Sequence, residues 1–280
     1  MVIDFHTHIV PLRVKQNREE YARKDKGFAS IYSDPKAKLA TAEELINAMD
    51  KDEVDVAVVL NYAWATQSLC VEINYYILES VARYPKRLIG FCSYAPNEGK
   101  SAIKELERCI KNGARGIGEL RLDTQFPQDC WLENIRPLAE LIIKNNSILL
   151  IHSSEPLGHQ YPGKGKVTPD LLHTLAIVFP KMKIVCAHWG GGLPFYALMP
   201  EVKTALKNVY YDTAASPFLY TSEIYGQVVQ LVGAGKILFG SDYPLISQRR
   251  FLKEINRLAL PEDTKKNILG GNAQKLLGII

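Results

Sequence analysis

The sequence predicts an α/β fold, a single closed (β/α)8 TIM barrel, from three observations. Eight short apolar runs are bounded by turn residues, amphipathic stretches of helical length lie between them, and polar residues collect at the C-terminal ends of the runs. The runs are Val2–Phe5, Val54–Leu60, Leu88–Ser93, Gly116–Leu120, Ile148–Ile151, Lys183–Ala187, Val209–Tyr211 and Ile237–Phe239. Most are continuous rather than alternating, as expected of parallel strands covered on both faces.

The intervening helices include Glu43–Lys51, Leu69–Tyr84, Ala102–Asn112, Ile135–Asn145, Pro169–Phe179 and Glu223–Val232. Thr41-Ala-Glu-Glu44 reads as a capping box and Thr168-Pro169 as an N-cap followed by proline, while Asn112-Gly113 and Val232-Gly233 read as helix stops. No glycine-rich phosphate turn follows the first strand, which argues against a doubly wound sheet. With no linker or short repeat, residues 1–280 read as one domain. Two connections exceed what a barrel needs, residues 9–40 and 153–167. Both follow strand C-termini, where barrel enzymes place their sites, so they are expected to form lids or substrate walls.

The formal charge of +4, from 34 basic and 30 acidic residues, is too mild to indicate nucleic acid or an anionic membrane. It suits a small-molecule substrate, including a carboxylate. Five scattered cysteines without a CxxC pair read as reduced thiols. No run approaches a membrane span and the N-terminus lacks a signal-peptide pattern, so the expected location is cytoplasmic. A homodimer is compatible with the sequence, although no interface signal stands out.

The chemistry lies at the strand ends. Strand 1 ends in His6-Thr-His8, strand 4 in Glu119, strand 5 in His152, strand 6 in His188 and strand 8 in Asp242. Alternate strand residues share a face, so His6 and His8 point the same way, and in a closed barrel that way can be inward. A desolvated cluster of imidazoles and carboxylates is costly unless a cation compensates it. His6, His8, His152 and Asp242 therefore read as ligands of a divalent metal. Zinc is the first expectation among several metals that suit nitrogen and oxygen donors. His159, in the loop after strand 5, reads as solvent-facing, and His173 as a structural residue on a helix.

At these positions the chain resembles the amidohydrolase-related family that includes the aminocarboxymuconate-semialdehyde decarboxylase-like enzymes. The resemblance rests on Asp4-Phe-His6-Thr-His8, Ile151-His152, Ala187-His188-Trp-Gly-Gly-Gly-Leu-Pro194, Gly240-Ser-Asp242-Tyr-Pro244 and Gly271-Asn272-Ala273. It implies one metal on His6, His8, His152 and Asp242, with His188 as a catalytic neighbour. Gly118-Glu119 is similar to the metal-bridging glutamate of two-metal hydrolases resembling the TatD deoxyribonucleases, which leaves two metals open. The other reading pairs Glu119 with Arg121.

A divalent cation can lower the pKa of bound water to about 7, which would supply a nucleophile that Asp242 deprotonates and His188 orients. Arg121, Arg249, Arg250 and the basic first loop are candidates to hold a substrate carboxylate. Trp189 and Tyr243, adjacent to site residues, are candidates for an aromatic wall. The first expectation is hydrolysis of an amide, lactone or related carboxyl derivative. The alternative is non-oxidative decarboxylation of an unsaturated or aromatic acid, and a third reading is a metal-binding barrel without catalysis.

Overall fold

The computed structural model describes residues 1–126 and 130–279. Eight parallel strands follow one another around the sheet in chain order: β1 (Ile3–His8), β2 (Val56–Leu60), β3 (Leu88–Cys92), β4 (Gly116–Leu120), β5 (Ile148–Ile151), β6 (Lys183–Cys186), β7 (Val209–Asp212) and β8 (Ile237–Leu238). Backbone hydrogen bonds from Phe5 N to Phe239 O (2.7 Å) and from His8 N to Tyr243 O (2.7 Å) join the last strand to the first, closing the expected (β/α)8 barrel.

Each strand leads into an outer helix: α1 (Ala42–Asp52), α2 (Gln67–Arg83), α3 (Lys100–Lys111), α4 (Trp131–Lys144), α5 (Pro169–Val178), α6 (Pro200–Ala205), α7 (Glu223–Val232) and α8 (Gln248–Arg257). The capping box at the start of α1 forms as the sequence predicts. Thr41 Oγ1 accepts from Glu44 N, and Glu44 Oε2 accepts from Thr41 N at 2.8 Å. Gly113 and Gly233 take positive φ after α3 and α7, which only glycine adopts freely.

The core divides as a two-sided strand requires. Ile3, Phe5, Val56, Val58, Phe91, Ile148, Leu150 and Leu238 fill the barrel interior, which Ala273, Leu276 and Leu277 also join from the C-terminal helix. Their outward neighbours, such as Ala57, Val59, Leu149 and Ile151, pack against the helices.

Two irregularities decide where the polar strand ends point. In β1 the pairing with β2 slips between Asp4 and Thr7, and in β4 the pairing with β5 slips between Ile117 and Leu120. By strict alternation Phe5 would face the interior and His6 would not. The extra residue re-aims His6 and His8, and likewise Glu119, over the top of the barrel. On β5 no slip is needed, because His152 continues the inward series of Ile148 and Leu150. The chain after β8 passes so close to β1 that a Cβ on Gly240 would lie 2.9 Å from the Cβ of His6.

Both long connections stand at this end of the barrel. Residues 9–40 carry three short helices, Leu12–Gln16, Arg18–Lys24 and Lys26–Tyr32. The described cysteines are all free thiols, and no described helix is long and apolar enough to cross a membrane. Thr41→Ala removes the α1 cap and is expected to cost about 1 kcal/mol, lowering the melting midpoint by about 2 °C in a scanning calorimeter.

Candidate metal centre and its cavity

The strand ends converge as buried side chains, with Asp242 partly exposed. His6 and His8 face each other, Nε2 to Nε2, at 3.0 Å. Asp242 Oδ1 lies 3.1 Å from His8 Nε2 and 3.7 Å from His6 Nε2, and Glu119 Oε2 lies 3.7 and 3.9 Å from the same two nitrogens. Glu119 reaches the other half of the cluster through its second oxygen, 2.9 Å from His152 Nδ1 and 3.6 Å from His188 Nε2. His152 Nε2 meets Ser154 Oγ at 3.1 Å.

Donor geometry tests whether a cation fits. His6 Nδ1 lies 2.8 Å from Asp212 Oδ2, and a carboxylate accepts, so His6 donates there. With a cation in place the ring would be neutral and present its Nε2 lone pair towards His8, Asp242 and Glu119. Such an electron-rich pocket needs a positive charge inside it. Donors separated by 3.0 to 3.9 Å match ligands about 2.1 Å from a common divalent ion. Two groups of potential ligands bring their donor atoms within 4.8 Å of one another, His6-His8-Glu119 and Glu119-His152-His188. Glu119 belongs to both.

The electrostatics agree. Burial alone would lower His6, but the charge and hydrogen bond of Asp212, with Glu119 and Asp242 behind, push it up to about 10. Burial would raise Asp242, yet the His8 hydrogen bond and the charges of His6, His8 and His188 bring it down to about 2. Glu119 likewise sits well below the usual carboxylate range, against its burial, because of His152, His188 and His6. Burial and the positive charge of Arg121 lower His152, whereas His188 is raised to about 9 against its burial by Glu119 and Asp242.

Supporting contacts fix the orientations. Asp212 Oδ1 accepts from the backbone N of His188 (2.9 Å) and of Ala214 (3.0 Å), and His188 Nδ1 donates to Ala214 O (3.1 Å), leaving Nε2 towards the cluster. Asp4 gathers Ser241 N, Ser241 Oγ and Gln248 Nε2, which shapes the turn carrying Asp242. His188, Trp189 and Asp242 all occupy the left-handed region, at φ 54°, 58° and 63°. Non-glycine residues held there mark a backbone constrained by its surroundings, a feature concentrated at functional sites.

A cavity of about 540 Å³ opens above the cluster. His8, Glu119, His152, His188 and Asp242 form its floor, and its walls include Tyr32, Tyr62, Arg121, Tyr161, Phe218 and Leu245. The insertions supply much of the enclosure, as the sequence predicts, through Ile31–Lys38 and His159–Gly163.

Four expected wall residues are placed differently. Trp189 is fully buried away from the cavity, donating to Ser216 Oγ at 2.9 Å and packing edge-on against Tyr225. Tyr243 turns outward to donate to Glu44 O, so Pro244 and Leu245 line the wall instead. Arg249 is exposed and tied to Asp52 at 2.9 Å, in a separate surface groove that Arg250 also lines. Trp189 and Tyr243 thus point away from the side on which their neighbours His188 and Asp242 meet the cavity, and Arg249 and Arg250 lie on the outer helix α8. Arg121 does line the cavity, but its partners are Asp123 (3.1 Å) and Gly163 O (3.0 Å) rather than Glu119. His159 is exposed at the cavity rim, and His173 lies on α5 outside it.

Sequence reasoning missed Asp212, Asp4 and the cavity tyrosines. A polar residue directly after the apolar Val209–Tyr211 run was the available signal for Asp212.

Comparison with known proteins places this geometry. The amidohydrolase family model matches residues 3–279. The chain belongs to the amidohydrolase family. Among its relatives, 2-amino-3-carboxymuconate-6-semialdehyde decarboxylase of Dictyostelium discoideum is 24% identical, over 99% of this chain and 91% of that protein. 6-Methylsalicylic acid decarboxylase of Penicillium expansum is 29% identical over 67% of this chain and 68% of its own length. The fold is shared with 5-carboxyvanillate decarboxylase from Novosphingobium aromaticivorans, solved with manganese and 4-hydroxy-3-methoxy-5-nitrobenzoic acid, at a TM-score of 0.79 and 18% identity over 100% and 96% of the two chains.

These relatives overturn hydrolysis of an amide or lactone as the leading expectation, since both curated ones are decarboxylases. The physical reason for the error is that strand-end ligands define a site, and one site serves several reactions.

Asp212→Asn is expected to weaken divalent-metal affinity by about 10 to 100-fold, measured by competition with a chelator. Because His6 must surrender a proton held to about 10, wild-type affinity should also rise from pH 6 to pH 8 in the same titration.

Proposed function

We propose that this member of the amidohydrolase family is a divalent-metal-dependent, non-oxidative decarboxylase of an aromatic or unsaturated carboxylic acid. The observation that carries the reading is the cation-demanding His6-His8-Asp242-Glu119 cluster beneath an aromatic and apolar cavity of about 540 Å³. Decarboxylase relatives aligned with most of the chain support the reaction type.

In this reading His6, His8, His152 and Asp242 hold the cation, and Glu119 links the two halves of the cluster. A divalent cation there supplies Lewis-acid polarisation of the bound acid. Manganese, found in the structural neighbour, suits the carboxylate-containing donor set as well as zinc does. The walls present the ring and exclude water, which strengthens electrostatic interactions on the floor.

Decarboxylation breaks the bond between the ring carbon and its carboxylate. The electron pair stays on that carbon, which takes a proton as carbon dioxide departs. His188 is positioned for the proton transfer, because Nδ1–H is committed to Ala214 O and Nε2 faces the cavity floor. The Asp212 contact to its backbone N holds the turn.

His188→Asn should retain the metal and lose about 10²–10⁴-fold in kcat for carbon dioxide release from hydroxybenzoic acids. Chelation should abolish release by the wild type and added manganese should restore it. Undiminished release by metal-stripped protein would sink the proposal.

A further inference from the structure

The insertion at 153–167 walls the cavity through His159, Tyr161, Pro162 and Gly163, yet it has little of its own to hold it there. It carries no helix or strand, and between Ser154 and Val167 no residue is fully buried. A loop of that length without regular structure is ordered only by specific anchors.

The main anchor is a buried ion pair just beyond β4. Arg121, 4% exposed, turns its Nε and Nη2 onto the two oxygens of Asp123, at 3.2 and 3.1 Å, and donates from Nη1 to Gly163 O at 3.0 Å. Asp123 Oδ2 in turn accepts from Lys166 N at 2.7 Å. Guanidinium and carboxylate thus grip residues 163–166 at both ends. Between those ends the chain lies close against the pair: a Cβ on Gly165 would fall 2.3 Å from both Arg121 Nη2 and Asp123 Oδ2. Gly165 has no positive φ, so this close approach is what requires a glycine. Its N–H donates to Ser154 Oγ at 2.9 Å, closing the insertion on its own stem. Gly163 also faces the first insertion, where a Cβ would lie 3.4 Å from Ile31, so the anchor sets the gap between the two walls.

The same contacts argue against Arg121 as a clamp on a ligand. Its Nε–Nη2 edge, which receives a carboxylate through two parallel bonds, is filled by Asp123. An anionic ligand has other cations to meet, since Lys36 and Lys38 line the cavity from the first insertion and are exposed. Resting on the reading of this cavity as the substrate site of a decarboxylase, we propose that Arg121 is a positioning residue. It acts through Gly163 and Asp123, fixing the insertion after β5 as the cavity wall, and does not itself bind the substrate carboxylate.

Gly165→Ala separates the two roles, because Gly165 does not line the cavity and its change dislodges the wall without altering a charge. In the full-length protein, trypsin cleavage after Lys164 or Lys166, read by mass spectrometry, should quicken at least about tenfold in both Gly165→Ala and Arg121→Gln. With manganese-loaded protein and 2,6-dihydroxybenzoate, both variants should raise KM by a similar factor of about ten, and the double variant should add little to either. Unchanged cleavage in either variant overturns the proposal. So does a wild-type KM in Gly165→Ala beside a raised one in Arg121→Gln, which would assign Arg121 to the substrate carboxylate. The cleavage pattern in a wild-type protein that releases carbon dioxide from none of a panel of aromatic and unsaturated acids sinks the decarboxylase reading and leaves the anchor standing.

Discussion

The site depends on one fully buried carboxylate, Asp212 at the end of β7. One oxygen holds His6 Nδ1 at 2.8 Å, and the other takes the backbone N–H groups of His188 and Ala214. It thereby sets the proton position on a candidate ligand from β1 and the entry of the left-handed turn after β6. Burying such a group is costly unless every lone pair is used. Here the partners come from three strand ends, so the cost is offset only when the barrel is closed.

The same constraint governs the floor above it. Glu119, Asp242 and the four histidines leave water together, and their mutual attraction holds both carboxylates low and His6 and His188 high. Without a cation the compensating charge is protonic, carried by His6 and His188, both held above the usual imidazole range. A divalent cation would exchange with that charge, which would couple metal uptake to pH. Bulges in β1 and β4 place these groups, and the insertions after β1 and β5 wall them in. Scaffold and chemistry are thus separable, as the different reactions found on this fold require.

The barrel was legible because its strands are buried on both faces and read as continuous apolar runs. β4 and β5 coincide with their predicted spans. The apolar run of β1 stops at Phe5, and the strand continues through the buried His6-Thr-His8 that the sequence places at its end. The helices at 12–32 went unread, each being five to seven residues and too short to display a 3.6-residue period. HxH correctly announced two imidazoles on one face, but the slip that turns that face inward leaves no mark in composition. Trp189 and Tyr243 were misplaced because adjacency along a turn says little about direction. Asp212 was passed over because the run was read only to Tyr211. Reaction type was the least legible layer, since hydrolysis and decarboxylation call for the same ligand types.

The most direct test of the account is anomalous X-ray diffraction from crystals grown with manganese. The account predicts a single strong peak at the top of the barrel within ligating distance of His6 Nε2, His8 Nε2 and Asp242. Manganese bound elsewhere, or crystals of active protein with no peak between these side chains, would contradict it.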